Sequence, residues 1–215
     1  MEHKLKIKYL FILLSIISGC DSGDKALNLY QSGMKEFNVK NLPQAEKFFL
    51  SAVEKDSALL NAHLMLCKIY YYNGNYESAV EAADAILDDD PDHANAMYWK
   101  ARSLVMSGNE NTSVPVELLV RSLEIDGHNI QARLLLGMIY EKNSSYKEAL
   151  HQYLAVQEEE EGIVSARANL AMLYMRMGLR DRCMRELEVA EKIAVSSGKG
   201  IKRIKFIKQE AGKMQ

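Results

Sequence analysis

Apolar side chains recur along this chain with the period of amphipathic helices, in pairs of stretches joined by short polar turns. In residues 63–79 and 134–150, leucines, small residues and tyrosines fall three, four and seven positions apart, a spacing that gathers side chains on one helix face. Gly74, Gly108 and Gly178 fall where the first helix of a pair must stop and turn. The pattern therefore predicts an all-α protein built from helix-turn-helix pairs.

The pairs recur at a nearly fixed interval. A small residue marks the same place in five successive pairs, at intervals of 34, 34, 36 and 34 residues: Gly33, Cys67, Ala101, Gly137 and Ala171. Small side chains let the two helices of a pair approach closely, and we expect Gly137 to face Ala149. The third pair has a longer turn in residues 108–119, with Pro115 near the start of its second helix, where proline is tolerated. Since no single pair can bury its apolar face alone, the pattern indicates a stacked array.

These residues resemble the tetratricopeptide repeat (TPR) family, whose 34-residue unit carries Leu-Gly-x-x-Tyr, a turn glycine, an alanine, an aromatic residue and a closing proline. Leu136-Gly137, Tyr140 and Ala149 match this signature, and Pro91 supplies the closing proline once. The resemblance implies a right-handed superhelix of about five helix-turn-helix repeats in residues 26–194, plus a C-terminal capping helix in a basic segment at 198–215. The expected repeats are 26–59, 60–93, 94–129, 130–163 and 164–197.

The amino-terminal segment has the features of an export signal. The apolar run from Leu10 to Ile17 is too short to span a bilayer, which takes roughly 20 residues. Three lysines precede it, and Ile17-Ser18-Gly19-Cys20 resembles the lipobox of bacterial lipoproteins. The resemblance implies removal of residues 1–19, acylation of Cys20 and a tether at 20–25. The alternative is an ordinary signal peptide with a chance cysteine.

Composition narrows the class of partner. The chain has 27 basic and 29 acidic residues, and removal of residues 1–19 would leave 24 and 28. This mild acidity argues against a nucleic-acid-binding protein, which needs a basic surface. Cys67 and Cys183 fall within helical apolar patterns, so we expect them to be buried thiols and not a disulfide.

No catalytic or metal-binding motif stands out. The histidines are isolated, and the chain lacks His-Glu-x-x-His, Cys-x-x-Cys and phosphate-loop patterns. The acidic run at 88–93 lacks the central glycine and distal glutamate of a calcium loop. We therefore predict no catalytic residues, no metal, no cofactor and no enzymatic activity.

The TPR resemblance implies a concave groove, lined by the first helices of successive repeats, that receives a protein or peptide segment. Tyrosine and methionine suit such a surface because both cover large areas and adapt to varied partners, and Lys68 and Arg102 are available for a carboxylate. Lys68 stands where the chaperone-binding TPR subclass carries asparagine, so a chaperone tail is not the expected partner. The candidate groove residues are Tyr30, Met34, Phe37, Leu64, Lys68, Tyr71, Tyr72, Tyr98, Arg102, Met106, Met138, Met172 and Met175.

These features predict a lipid-anchored TPR scaffold that binds proteins or peptides in the bacterial cell envelope and assists assembly of an envelope or secretion complex. It would face the periplasm or the exterior, and Asp21 leaves the choice of membrane open. One alternative is a periplasmic component of a solute uptake system, which a closed, dry apolar pocket would favour. Another is a structural lipoprotein on the cell surface. The basic segment at 198–215 is either a solvated cap or a contact with anionic lipid.

Overall fold

The computed structural model describes residues 23–108, 110–157, 163–197 and 200–213, and these ranges contain helices and turns but no strand. The predicted all-α class is confirmed. The helices are α1 (23–38), α2 (Leu42–Lys55), α3 (Leu60–Tyr72), α4 (Tyr76–Asp89), α5 (Ala94–Met106), α6 (Ser113–Ile125), α7 (Ile130–Lys142), α8 (Tyr146–Gln157), α9 (Ile163–Arg176), α10 (Arg180–Ser197) and α11 (Ile201–Ala211).

Most of the turns inside a helical pair are three residues long and contain one residue in the left-handed conformation. Gly74, Gly108 and Gly178 have φ of 78°, 83° and 73°, so the glycine positions that predicted helix ends are confirmed. Lys40 and Ser144 adopt the same conformation, with φ of 63° and 62°, although side chains disfavour it. Five turns therefore contain one left-handed residue, and at Lys40 and Ser144 a side chain accepts the steric cost.

The turns between successive pairs share a side-chain hydrogen bond from an aspartate. Asp56, Asp90 and Asp126 each follow the last residue of a helix, and each carboxylate oxygen Oδ1 accepts the backbone N–H two residues further on. The N···O distances are 3.1, 3.2 and 3.2 Å. Such an Asx turn redirects the chain with or without proline. Pro91 follows Asp90, whereas Ser57 and Gly127 follow Asp56 and Asp126.

The chain forms two compact units, divided at Glu110–Asn111. In the first unit α3 packs against α2, α4 and α5. In the second unit α9 packs against α7, α8, α10 and α11. The largest fully buried side chains are Phe49, Ile69, Ile86 and Met97 in the first unit and Leu119, Leu136, Tyr153, Leu170, Leu173, Leu187, Ile204 and Ile207 in the second.

The side chain nearest to Gly137 is that of Tyr153, one helical turn beyond the expected Ala149. A Cβ atom at Gly137 would lie 2.4 Å from Cε1 of Tyr153. Ala149 is fully buried as well. The large ring at Tyr153 fills the space that glycine leaves open.

Two expectations concern the ends of the chain. The signal segment and Cys20 lie outside the described residues. Residues 23–25, the end of the expected tether, instead form the first turn of α1. The next residue, Ala26, is fully buried. At the other end, α11 buries Ile204, Ile207 and Ala211 and packs against α9 and α10, so the capping helix is confirmed.

Two further observations bear on export and membranes. Cys67 and Cys183 are free and buried, as predicted. None of the helices in the described ranges combines the length and apolar character needed to cross a bilayer.

Candidate functional site

Trp99 is the centre of an aromatic cluster on α3 and α5, the first helices of two successive pairs, which contact each other directly. The ring centroids of Tyr71, Tyr72 and Tyr98 lie 5.4, 5.9 and 5.4 Å from that of Trp99. The interplanar angles are 69°, 76° and 69°, the edge-to-face arrangement that aromatic rings prefer. These four residues are called the aromatic cluster below.

Two cationic side chains lie on this cluster. The Arg102 guanidinium is 4.5 Å from the ring centroid of Tyr71 and 5.1 Å from that of Trp99. Its Nη1 donates a hydrogen bond of 2.9 Å to the Tyr98 hydroxyl. The Lys68 ammonium lies 5.8 Å from the Trp99 ring. Both cations are within the range of cation–π attraction.

Burial changes the proton affinity of both cations. Desolvation lowers the pKa of Lys68 below its ordinary value. Desolvation acts in the same sense on Arg102, but the Tyr98 and Tyr71 hydroxyls outweigh it, and the pKa of Arg102 is raised. Arg102 therefore stays charged, whereas burial makes the charged form of Lys68 less favourable.

Neither cation forms an ion pair with an acidic side chain in the described ranges. The side chains that raise their pKa values against desolvation are Cys67 for Lys68 and the tyrosines Tyr98 and Tyr71 for Arg102. Half-buried charges interact more strongly than exposed ones because less water screens them. The aromatic cluster therefore presents an uncompensated positive potential that favours an anionic group.

Exposure separates the residues that a partner could touch from those that support them. Tyr72 is 55% exposed and Tyr71 is half-buried, whereas Tyr98 and Trp99 are 6% and 7% exposed. The placement of Tyr98 on an open groove surface was therefore wrong: its ring is in the interior and its hydroxyl holds Arg102. Trp99 was missed, although it lies next to Tyr98 and three residues before Arg102.

The other candidate residues of the first unit are distributed along α1, α3 and α5. Tyr30 packs against Phe49, with centroids 5.6 Å apart. Met34, Phe37 and Leu64 are half-buried, and Met106 is exposed. The structure thus brings together Lys68, Tyr71, Tyr72, Tyr98 and Arg102. A role in partner binding stays a prediction for all the candidate residues.

In the second unit, Met138 and Met172 line one cavity of about 240 Å³ among α7, α9 and α11. Met175 packs partly buried against the core. Glu141, Arg176 and Arg203 also line this cavity, which is called the α9 pocket below. Its charged walls were not predicted from the sequence.

Two other findings describe the chemistry of the molecule. Within the described residues, no group of three or more His, Cys, Asp or Glu side chains is arranged to hold a metal ion. A cavity of about 360 Å³ beside Gly178 is lined by Asp181 and the arginines at 180, 182 and 185. This cavity is polar, and it lies at the turn between α9 and α10.

Comparison with known proteins gives two partial sequence matches. The family model described as anaphase-promoting complex, cyclosome, subunit 3 matches residues 73–156, less than half of the chain. The DnaJ homolog subfamily C member 3 homolog of Dictyostelium discoideum is 23% identical over 121 residues. That match covers 55% of this chain and 24% of the relative, so the chain spans about a quarter of the relative's length.

Solved structures match over most of the chain. The MamA protein superposes with a TM-score of 0.68 at 19% identity, covering 82% of this chain and 96% of MamA. YrrB, described as a TPR protein with an unusual peptide-binding site, has a TM-score of 0.62 at 23% identity, with coverage of 78% and 86%. A thermophilic TPR protein of Thermus thermophilus has a TM-score of 0.66 at 16% identity, with coverage of 86% and 97%.

Proposed function

We propose that this chain, which has the tetratricopeptide repeat fold, is a scaffold that binds an acidic segment of a protein partner at the aromatic cluster. One observation carries the proposal. Lys68 and Arg102 are half-buried against Trp99, and within the described ranges no carboxylate pairs with either of them. A partner's aspartate, glutamate or terminal carboxylate would supply the missing charge.

The geometry also defines the neighbour of that carboxylate. Tyr72 is more than half exposed, and the half-buried Tyr71 lies beside it at a centroid distance of 5.7 Å. These rings offer an apolar surface with polar edges next to the two cations. An apolar or aromatic side chain adjacent to the carboxylate would stack there. The partner segment is therefore acidic and amphipathic.

The proposed place of action is the bacterial cell envelope, where Cys20 would carry a lipid anchor. The sequence of residues 4–20 supports this, with its lysines, short apolar run and lipobox. Only residues 20–22 would separate the lipid from α1, a reach of roughly 10 Å. The scaffold would therefore work close to the bilayer, in assembly of an envelope or secretion complex.

No observation favours the solute-uptake alternative. It calls for a closed, dry apolar pocket, whereas the cavity beside Gly178 and the α9 pocket both carry charged walls. YrrB is described as having a peptide-binding site, so it is a precedent for peptide binding on this fold. An absence of enzymatic activity stays a prediction.

The binding proposal is tested by affinity purification of the full chain from solubilised envelopes. We expect the wild-type chain to recover a partner in an amount nearly equal to its own. The variant Tyr72→Ala/Arg102→Gln should lose that partner. Leu50→Ala is the matched control, because Leu50 is 40% exposed on α2 in the same unit. Recovery of the same partner by all three chains would exclude the aromatic cluster as the binding site.

The lipid anchor is tested separately by metabolic labelling with a palmitate analogue. We expect the wild-type chain to take up label and to sediment with membranes. Cys20→Ser should lose both properties, whereas Cys67→Ser, which changes a buried thiol, should keep both. Label that persists on Cys20→Ser would show that Cys20 is not the acylated residue.

A further inference from the structure

The outer side of α11 is cationic where the preceding first helix is apolar. Lys202 and Lys205 follow Ala168 and Ala171 of α9 by 34 residues. The two alanines are buried in the core that α9 forms with α10, whereas both lysines are exposed. Within the described residues only a turn follows α11, so no second helix covers this side. The name basic face is used below for Lys202, Arg203, Lys205 and Phe206.

The charges of the basic face all have one sign. Among the described residues, no carboxylate forms an ion pair with Lys202 or Lys205. Arg203 is exposed as well, and its Nη2 donates to the neutral amide oxygen of Asn169. Three positive charges within four residues are therefore left for an anion outside this unit.

The carboxylates nearby do not offset this charge. Glu191 of α10 binds the Lys208 ammonium, and Glu210 binds that of Lys213. Residues 180–213 contain ten basic and five acidic residues, although the whole chain has 27 and 29. Positive charge is thus concentrated at the carboxyl-terminal end of an acidic chain, and it attracts anions over about one Debye length, roughly 8 Å at physiological salt.

Phe206 distinguishes this surface from a polar cap. Its ring is 62% exposed, and Lys202 and Arg203 lie one helical turn before it. A helix that only solvates the end of an array needs polar side chains, and contact of a large aromatic ring with water is unfavourable. An exposed ring beside basic side chains suits the boundary of an anionic bilayer, where cations meet phosphates and the ring reaches the acyl chains.

The form of the surface favours a bilayer over an acidic protein segment. The buried side of α11 already packs on α9 and α10. Lys202, Lys205 and Phe206 do not line the α9 pocket, so they present the outside of a helix and not a cleft. A bilayer repeats its charge across a plane, and several basic side chains can each meet a phosphate there without matched positions.

We propose that the basic face of α11 binds the headgroups of anionic phospholipids in a bilayer. Lys202, Arg203 and Lys205 contact the phosphates, and the Phe206 ring enters the layer between the headgroups and the acyl chains. This contact goes beyond the proposed function, because it uses no residue of the aromatic cluster and needs no acyl group on Cys20. It holds the second unit at the bilayer surface.

The test uses residues 20–215 carrying Cys20→Ser, which include every described residue and lack the apolar run at 10–17. Binding is measured at low ionic strength by co-sedimentation with vesicles of phosphatidylcholine alone or mixed equally with phosphatidylglycerol. We expect binding to the mixed vesicles only, weakened about tenfold or more in Lys202→Gln/Lys205→Gln. The matched control Lys142→Gln/Lys147→Gln removes two charges from exposed positions of the same unit and should weaken binding less than about twofold.

The position of the ring is tested by Phe206→Trp. Mixed vesicles whose acyl chains carry bromine should quench the emission that this tryptophan adds to that of Trp99. The control is Leu154→Trp, because Leu154 is 44% exposed on α8 of the same unit. Equal quenching of the two added tryptophans would show that α11 does not face the bilayer.

Four other results would overturn the proposal. Equal weakening by the two lysine pairs would show attraction to overall charge alone. Binding of soluble polyglutamate in place of vesicles, lost in Lys202→Gln/Lys205→Gln, would assign the basic face to an acidic protein segment. Self-association without vesicle binding, abolished by the same variant, would assign it to a second copy of the chain. Loss of vesicle binding in Tyr72→Ala/Arg102→Gln would place the lipid at the aromatic cluster and contradict the proposed function too.

Discussion

A Cβ atom at Gly33 would lie 2.6 Å from Cε1 of Phe49, sixteen residues further along the chain. Gly137 and Tyr153 have the same relationship at the same separation. At the corresponding positions of the fifth pair, the chain has Ala171 and Leu187, both fully buried. Glycine is thus found opposite an aromatic ring in the first and fourth pairs, and the larger alanine corresponds to the smaller leucine in the fifth. The second pair departs from this relationship, with Cys67 and Ala83 at these positions.

Gly33→Ala should lower the free energy of unfolding by about 1–3 kcal/mol, the usual cost of overpacking a buried contact. Intrinsic helix propensity acts in the opposite direction, since alanine is better than glycine by about 1 kcal/mol. The loss therefore reports the clash with Phe49. Urea unfolding followed by circular dichroism measures it.

The control is the double variant Gly33→Ala/Phe49→Leu, which copies the pair at Ala171 and Leu187. Phe49→Leu alone should destabilise because it leaves a cavity. The free energy of unfolding of the double variant should exceed the value expected from adding the two single effects by about 1 kcal/mol or more. Strict additivity would contradict the size relationship between the two positions.

Ser144→Gly should raise the free energy of unfolding by about 0.5–1 kcal/mol, because Ser144 has φ of 62° where glycine has no steric cost. The reverse change, Gly178→Ser at the matching turn with φ of 73°, should lower it by about 1–2 kcal/mol. Thermal unfolding of both variants beside the wild-type chain gives the comparison. Equal midpoints for all three would contradict the role of these turns.

Alkaline pH should destabilise the fold partly through Cys67. Burial raises the pKa of the Cys67 thiol to about 12, against about 8.5 in an unfolded chain. The folded state therefore favours the neutral thiol, so this contribution is complete below pH 8.5 and disappears as the pH approaches 12. Its slope is at most about 1.4 kcal/mol per pH unit.

The measurement compares urea unfolding of the Cys20→Ser chain with and without Cys67→Ala between pH 8 and pH 11. Tyrosine ionisation affects both chains alike, so the difference in slope isolates the thiol. We expect a shallower decline for the alanine variant. Parallel declines would show that Cys67 ionises as easily in the folded state as in the unfolded chain.

Trp99 should report directly on occupancy of the aromatic cluster, because it is the single tryptophan of the chain. Titration with a blocked peptide of glutamate and phenylalanine should change its emission, and higher salt should weaken the binding. Arg102→Gln should raise the dissociation constant at least tenfold, about 1.4 kcal/mol. Lys47→Gln, on the exposed side of α2, should leave it nearly unchanged.

The helices could be predicted from the sequence because the interval between small residues fixes the phase of every pair. Side-chain exposure could not, because it depends on the neighbouring helix. Tyr72 and Tyr98 were both assigned to the groove, yet the first is 55% exposed and the second 6%. Glu141 lies on the first helix α7 but is buried, with Tyr153 and Arg176 bound to its carboxylate.

The role of α11 has a signal in the repeat interval of the sequence. Ile204 and Ile207 follow Leu170 and Leu173 at the 34-residue interval, and all four are buried. Arg203 likewise follows Asn169 by 34 residues, and the two side chains are hydrogen-bonded. The periodicity thus continues past the fifth pair, and α11 has the pattern of one more first helix.

Six residues, 107–112, separate α5 from α6, where other pairs use three. The regular interval resumes afterwards, since Gly137 and Ala171 are again 34 residues apart. The longer turn therefore leaves the repeat interval within the second unit unchanged. A foreign epitope or a fluorophore-bearing loop grafted near Glu110, where one compact unit ends and the next begins, should leave each unit folded, which makes this turn a suitable site for a label.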